Sequence, residues 1–354
     1  KESSAASDVY KRQVEYLSPK FPMKEENTND DYYIAGNVCP STALVKMLET
    51  LPTGTAIMSG DTLVAHHGKH HDNEVHLEEM PLAIKTLPDI FMLNEQALAD
   101  DYRTLTAGRT SQPLSPTCTL IGSPTLPDGT PAIFIEEGAT VEGAMLNVSH
   151  GPIYIGACAE IMEGSCVRGP LALCEHSYIN MGTKVYGATT IGPYCKVGGE
   201  LNNVVMIGYS NKAHDGFLGN AVIGEWCNLG ANCVASNLKN DYSEIKLWNY
   251  PAHRFLRTGL QFCGLIMGDH TKAGINTMFN TATVVGVGCN IHGSGFPRNF
   301  VASFSEGGAA GFSDVSLSKF FDIARRVMAR RHVELTDTDI EIFNSIYSIA
   351  ETYK

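Results

Sequence analysis

The sequence predicts a mainly β chain organised around a parallel β-helix of hexapeptide repeats, and three observations predict it. An aliphatic residue recurs at every sixth position through Ile155, Ile161, Val167, Leu173, Ile179, Val185, Ile191 and Val197. Self-similarity at a fixed short period decides architecture ahead of local propensity. Thirty-four glycines stand against two tryptophans, which suits a chain that turns tightly and often. Only from Ser313, after the repeats end, does the period change to helical.

Each hexad supplies a short strand with one inward aliphatic side chain and a turn. Three hexads then close one triangular coil, and neighbouring coils hydrogen-bond in parallel. The repeat begins near Ile135, resumes at Ile207 and Ala213, slips by one between Leu218 and Ile223, and continues through Leu229 and Ala235. A second block runs Met267, Ala273, Phe279, Val285, Ile291. Counted this way, about seven coils are expected. Between the blocks, residues 237–261 break the period with charged and aromatic residues, so a loop should leave the prism there.

The flanks divide as follows. Residues 1–13, KESSAASDVYKRQ, read as an artefactual or disordered tail. Residues 14–110 read as a partial α/β region, with a strand at DYYIAG, a helix capped by Ser41 through Leu51, and two strands in AIMSGDTLVAHH about Gly60 and Asp61. That region is too short for a complete nucleotide-binding α/β domain and has no glycine-rich phosphate loop after a first strand, so its front half is expected to be absent. Residues 111–131 are proline-rich and polar and predict a linker, 132–312 the β-helix, and 313–354 C-terminal helices that cap its open end. In the first helix Phe320, Ile323, Ala324, Val327 and Met328 share a face; the second starts at Thr336, with Asp339 placed for a capping box.

A net charge of -12 and a pI near 5.4 exclude the electrostatic footprint of a nucleic-acid binder or an anionic-membrane binder. The ten cysteines form no CxxC pair and fall mostly inside apolar repeats, so they read as reduced core thiols of a cytoplasmic protein. No apolar run approaches a membrane span and no secretory signal is apparent.

Chemically capable residues concentrate in GYSNKAHDGFLGNAVIGEWCNLGANCVASNLKNDY, with His214 at the centre. Imidazole is the side chain best suited to take a proton from an attacking amine near neutral pH. Asn228 and Asn237 have the amide groups to orient a substrate or stabilise an oxyanion. From spacing alone, a lone histidine at a coil corner is more often a solvated or hydrogen-bonded structural residue.

The stretch resembles the acetyltransferase domain of the bifunctional uridyltransferase/acetyltransferase GlmU. Over residues 32 to 332, the run EGATVEGAMLN, GPIYIG, EGSCVRGP, GGELNN, SNKAHDGFLG, GEWCNLGA, SNLKNDY, TGLQFCG, MGDHTKAGINTMFNT and GSGFP resembles the alternative GlmU-like family of sugar nucleotidyltransferases. The resemblance implies a left-handed, LpxA-like β-helix behind a nucleotidyltransferase domain, of which residues 14–110 would be part, and assembly as a homotrimer with sites between subunits. It implies N-acetyl transfer from acetyl-CoA, as co-substrate, to an amino-sugar-1-phosphate in nucleotide-sugar synthesis. Its alternatives are sugar-1-phosphate nucleotidyl transfer, with Mg only where a complete nucleotidyltransferase domain is present, and a non-catalytic nucleotide-sugar-binding trimer.

By the same resemblance His214 falls on the catalytic base, Glu200 on the carboxylate that holds the imidazole in its working tautomer, and Asn228 and Asn237 on asparagines lining the acceptor and acetyl-CoA site. Phe217 stands where that pattern has tyrosine, so a hydroxyl contact to the sugar is lost. Lys184 serves for one of the phosphate-holding basic residues, and Asn202 or Asn203 replaces another. Lys212, Lys239, Lys246 and Lys272 are further candidates for sugar-phosphate or CoA-phosphate contacts, the plain alternative for each being a solvated surface position. The run HHGKHHDNEVH predicts an exposed loop, and no metal site is expected from it or from His176, His270 and His292.

Overall fold

The computed structural model describes residues 31–354, which form two compact units divided between Asp89 and Ile90. The expected tail at residues 1–13 lies outside the described residues. In the first unit, Tyr32–Ile34, Thr62–His67, Thr55–Ser59 and Asn73–His76 lie side by side in that order, the last two pairing in parallel. Helix Thr42–Glu49 begins where Ser41 Oγ accepts from the Leu44 N–H at 3.2 Å. Leu44, Leu51, Ile57, Val64 and Ala65 form its core. The histidine run is not one exposed loop: His66 and His67 end a strand, stack on Tyr33 and Tyr32, and bond Gly68 O and Leu51 O through Nδ1.

The second unit is the β-helix. One ten-stranded sheet, parallel but for its last strand Gly311–Asp314, carries the inward column Val141, Ile161, Ile179, Val197, Lys212. A thirteen-stranded sheet covers the other two faces, because Glu200–Met206 and Phe217–Ile223 bend around a corner and belong to both. One inward column there reads Leu146, Val167, Val185, Leu201, Leu218; the other reads Leu173, Ile191, Met206, Ile223, Met267, Val285, Val301. These side chains are buried in a single core, each worth about 1.5–3 kcal/mol against exposure.

Three sequence expectations need correction here. The register after Val197 resumes at Met206 and Lys212, not at Ile207 and Ala213: Ile207 is exposed, whereas Met206 and Lys212 point inward. The coil from Val197 to Lys212 is three residues shorter than the one from Ile179 to Val197, so a count in sixes carried on from Val197 misses Lys212. The solenoid is also longer than seven coils, because nine strands stack in parallel on the first face. Residues 111–131 are part of it and not a linker: Thr119–Ile121 pairs with Met145–Asn147 as the first rung of its column. Helix Asn94–Thr106 likewise packs on the β-helix, with Asn94 Nδ2 donating to Ala188 O at 3.0 Å and Asn94 Oδ1 accepting from Thr190 Oγ1.

Three ladders run along the corners. His176, Tyr194, Tyr209, Trp226 and His270 all have positive φ and stack in sequence, with ring centroids 4.2–6.1 Å apart. The left-handed backbone is disfavoured for such residues; the stacked rings and burial offset part of that cost. Inside a second line, Cys195 N donates to Ser177 Oγ, Ser210 N to Cys195 Sγ and Cys227 N to Ser210 Oγ. Cys195 Sγ accepts a backbone N–H, whereas the Cys227, Cys233 and Cys289 thiols donate to Gly268 O, Gly274 O and Ala302 O; burial pushes Cys195, Cys227 and Cys263 up to about 12. Of the ten cysteines, Cys158 alone is exposed. Titration of the native protein with a thiol reagent is therefore expected to show one fast-reacting cysteine, with Cys195, Cys227, Cys233, Cys263 and Cys289 silent until denaturant is added; several fast thiols would contradict this packing.

The third ladder is of asparagines. Asn237 Nδ2 donates to Asn220 Oδ1 at 2.8 Å. With the Asn203 amide oriented to donate to Phe91 O and Ala188 O, Asn203 Oδ1 accepts from Asn220 Nδ2 at 3.1 Å. The chain leaves and re-enters the prism at this corner, where Cys263 N donates to Asn237 O and Gly264 N to Asn220 O. The insertion between them is folded: Lys246–Asn249 and Arg254–Arg257 make an antiparallel hairpin, Ile245 and Leu247 are buried, and Trp248 stacks on Phe300 at 4.0 Å.

Beyond the last rung, helix Leu317–Ala329 and helix Asp337–Ala350 are capped by Ser316 and by the Thr336–Asp339 capping box. Phe320, Phe321 and Phe343 join Phe304 and Val315 in an end core, and Phe320 and Phe343 meet His270 edge-on. Burial pushes His270 down to about 3, so its ring is neutral.

Candidate active site

The segment between strands Asn211–Lys212 and Phe217–Ile223 is a corner loop, residues 213–216. His214 stands exposed on it. Gly216 closes the loop at φ +121, where an added Cβ would lie 2.1 Å from Cys233 O, so only glycine fits. The loop is tied to the coil below: Gly198 N donates to Lys212 O, and Glu200 N to Gly216 O at 3.1 Å.

From this corner one outward-facing strip runs across the adjoining face. Lys184, Glu200 and Phe217 occupy successive rungs in register, with Tyr186, Asn202 and Gly219 beside them. The absence of a side chain at Gly219 makes room for two neighbours. The Phe217 ring and the Asn237 amide both lie within 3 Å of where a Cβ would stand. Glu200 Oε1 accepts from Tyr186 Oη at 2.6 Å, which pushes the Tyr186 phenol up to about 12.

The structure thus gathers Lys184, Glu200, Phe217 and Asn237 on one face with His214 at its edge, and disperses the rest. Glu200 shares the corner with His214, but its hydrogen-bonding partner is Tyr186 and not the imidazole. Asn228 is exposed in the outward column of the neighbouring face, between Asn211 and Lys272. Lys239 is half-buried in the insertion, donating to Glu244 O at 2.8 Å, and Lys246 is exposed on its hairpin.

Lys212 and Lys272 do not sit where a bound phosphate would meet them. Lys212 is 1% exposed, in line with Val197 and Ile179, and its Nζ donates to Gly198 O at 2.9 Å and His214 O at 2.7 Å. Lys272 Nζ donates to Trp226 O and His270 O. Burial pushes both ammonium groups down to about 8. A lysine read from sequence defaults to the surface; for Lys212 the signal against that was the inward column itself, misread by one residue.

Sequence reasoning also missed Tyr186 and Asn180, whose Nδ2 donates to Ala213 O at 2.8 Å from a lower coil. The even spacing of Asn203, Asn220 and Asn237 was a usable signal for the corner ladder. Among the described residues, no group of three or more histidine, cysteine, aspartate or glutamate side chains is disposed to hold a metal ion, and no helix is long and apolar enough to cross a membrane.

Strand register and hexad columns define the class: a hexapeptide-repeat parallel β-helix protein with a small α/β unit ahead of it. Residues 2–110 match the family model described as sugar nucleotidyl transferase. Over 126 residues, 36% of the chain, it is 32% identical to the bifunctional protein GlmU of Methanocaldococcus jannaschii. Over 144 residues, 40% of the chain, it is 28% identical to a bifunctional sugar-1-phosphate nucleotidylyltransferase/acetyltransferase of Sulfurisphaera tokodaii. By sequence, then, the chain is similar to GlmU over about a third of its length. The matches span 28% and 35% of the length of these two relatives. Among solved structures, the UDP-N-acetylglucosamine acyltransferase LpxA of Bacteroides fragilis superposes with a TM-score of 0.27 and 14% identity, over 60% of this chain and 77% of its own. That from Campylobacter jejuni superposes at 0.24 and 14%, over 65% and 81%.

Proposed function

We propose that the β-helix transfers an acetyl group from acetyl-CoA to the amine of an amino-sugar-1-phosphate. The observation that carries this reading is the exposed His214 on a fixed corner loop beside the polar strip of Lys184, Glu200 and Asn237. In this reaction the amine nitrogen attacks the thioester carbonyl carbon and His214 takes the proton it sheds. The carbonyl oxygen gains charge in the tetrahedral intermediate, which asparagine amides such as those of Asn237 and Asn228 are suited to stabilise. The carbon–sulfur bond then breaks, and CoA leaves as the thiol with the proton held on the imidazole. Glu200, on the adjacent coil, steadies the strip through Tyr186. Lys184, Lys246 and Lys239 are the cations available for phosphates.

Met145, Val234 and Met278 add exposed apolar surface to the outside of the β-helix. Met145 and Lys184 both belong to the column carried by Cys166. They favour assembly with further copies of this chain, and a homotrimer is the assembly proposed. Cytoplasmic location and nucleotide-sugar synthesis are part of the same reading. The match of residues 2–110 favours a second reading, nucleotidyl transfer to a sugar phosphate, which would need Mg held by a complete nucleotidyltransferase domain.

The test is thiol release from acetyl-CoA with a panel of amino-sugar-1-phosphates. Sugar-dependent release is the expected result. Pyrophosphate release from a nucleoside triphosphate and a sugar phosphate, with no CoA released, would favour the second reading.

A further inference from the structure

Lysine is out of place at Lys212. The column it occupies holds Ile161, Ile179 and Val197 on successive coils, and the position is 1% exposed. A charged group in that setting requires a compensating set of hydrogen bonds. Lys212 has two, to Gly198 O on the coil below and to His214 O two residues ahead. Asn180 adds a second donor to the same loop, on Ala213 O. Consecutive carbonyls of the corner loop are therefore held from inside the prism, while the His214 side chain points to an exposed position.

We infer that Lys212 is a positioning residue: its ammonium group, anchored in the core, fixes the backbone of His214 and so sets where the imidazole stands relative to the strip of Lys184, Glu200 and Asn237. This rests on the acyl-transfer reading for its kinetic consequence, though not for its structural one. An apolar residue would fill the column without bonding the loop, and an exposed lysine would bond substrate without filling the column. The combination of depth and reach explains this choice of side chain. Burial lowers the ammonium to about 8, so the proton that gives it three donors is held at neutral pH.

The experiment compares Lys212→Met, which keeps length and apolar volume, with Ile161→Ala, a cavity in the same column away from the loop. Lys212→Gln, which retains an amide donor, carries the comparison should Lys212→Met not fold. Lys212→Met is expected to lower kcat on the order of 100-fold, the scale of a small misplacement of a catalytic group, with KM for acetyl-CoA unchanged. Ile161→Ala should lose stability and keep kcat. Amide hydrogen exchange of residues 213–217 should quicken in Lys212→Met and not in Ile161→Ala. A kcat for Lys212→Met no lower than that of Ile161→Ala would overturn the proposal. If the wild-type protein releases no CoA with any amino-sugar phosphate, the functional reading fails, and exchange alone decides: quickening confined to residues 213–217 supports positioning, and unchanged or uniform exchange defeats it.

Discussion

A His214→Ala protein is expected to lose acyl transfer by roughly 10²–10⁴-fold, the usual contribution of a positioned general base, while its unfolding transition stays within about 0.5 kcal/mol of the wild type. The second half follows from exposure: His214 projects from a corner loop and is absent from the core columns. The first follows from the chemistry. A primary ammonium must be deprotonated to attack a thioester, and His214 carries the loop's one imidazole, the side chain suited to general-base work. Parallel assays of thiol release and thermal unfolding check both. Full activity in the variant would move the base elsewhere and remove the main support for the mechanism. Lost activity with a lowered transition would instead show a structural histidine.

Gly216→Ala is expected to have the largest structural effect. The loop reaches Phe217 through a φ of +121 that side chains avoid, and the new methyl carbon would stand 2.1 Å from Cys233 O. Neither side can yield cheaply. Asn232 N donates to Asp215 O at 3.0 Å and Cys233 N to Gly230 O, so the obstructing carbonyl is part of the next coil's ladder. Backbone strain of this kind costs of order 1–3 kcal/mol before any clash is counted, and about 4 kcal/mol in total is expected. Denaturant unfolding measures it. A loss under about 1 kcal/mol would mean that the corner relaxes far more freely than its hydrogen bonds imply.

The repeat architecture was legible because hexad periodicity is strong wherever coils keep eighteen residues, as they do from Ile161 through Ile179 to Val197. It became illegible where the coils shorten. Between Val197 and Lys212 the coil is shortened twice, before Leu201 at Gly198 and Gly199 and again before Met206, and in that stretch Ala213 stood in place of Lys212 in the expected core. The first rung at Thr119–Ile121 was hidden for a different reason: its surroundings are rich in proline and serine, whose local signal is that of a linker, while pairing to Met145–Asn147 decides the matter from outside the segment. His214 stood out as a polar break in an apolar repeat. The Tyr186–Glu200 bond did not, because it joins side chains on adjacent coils that sequence spacing alone does not orient.

The C-terminal helices do more than close an end. Repeat folds behave as chains of nearest neighbours, so coils at an open terminus can melt without disturbing the others. Here the turn after helix Leu317–Ala329 sends Arg331 back to Tyr194 O at 3.4 Å, far down the stacked corner, while Phe320 and Phe343 grip His270 higher up. This works as a splint, tying the last coils to the middle ones. The coils between Tyr194 and His270, which include the His214 loop, cannot fray singly from the C-terminal side; they open together or not at all.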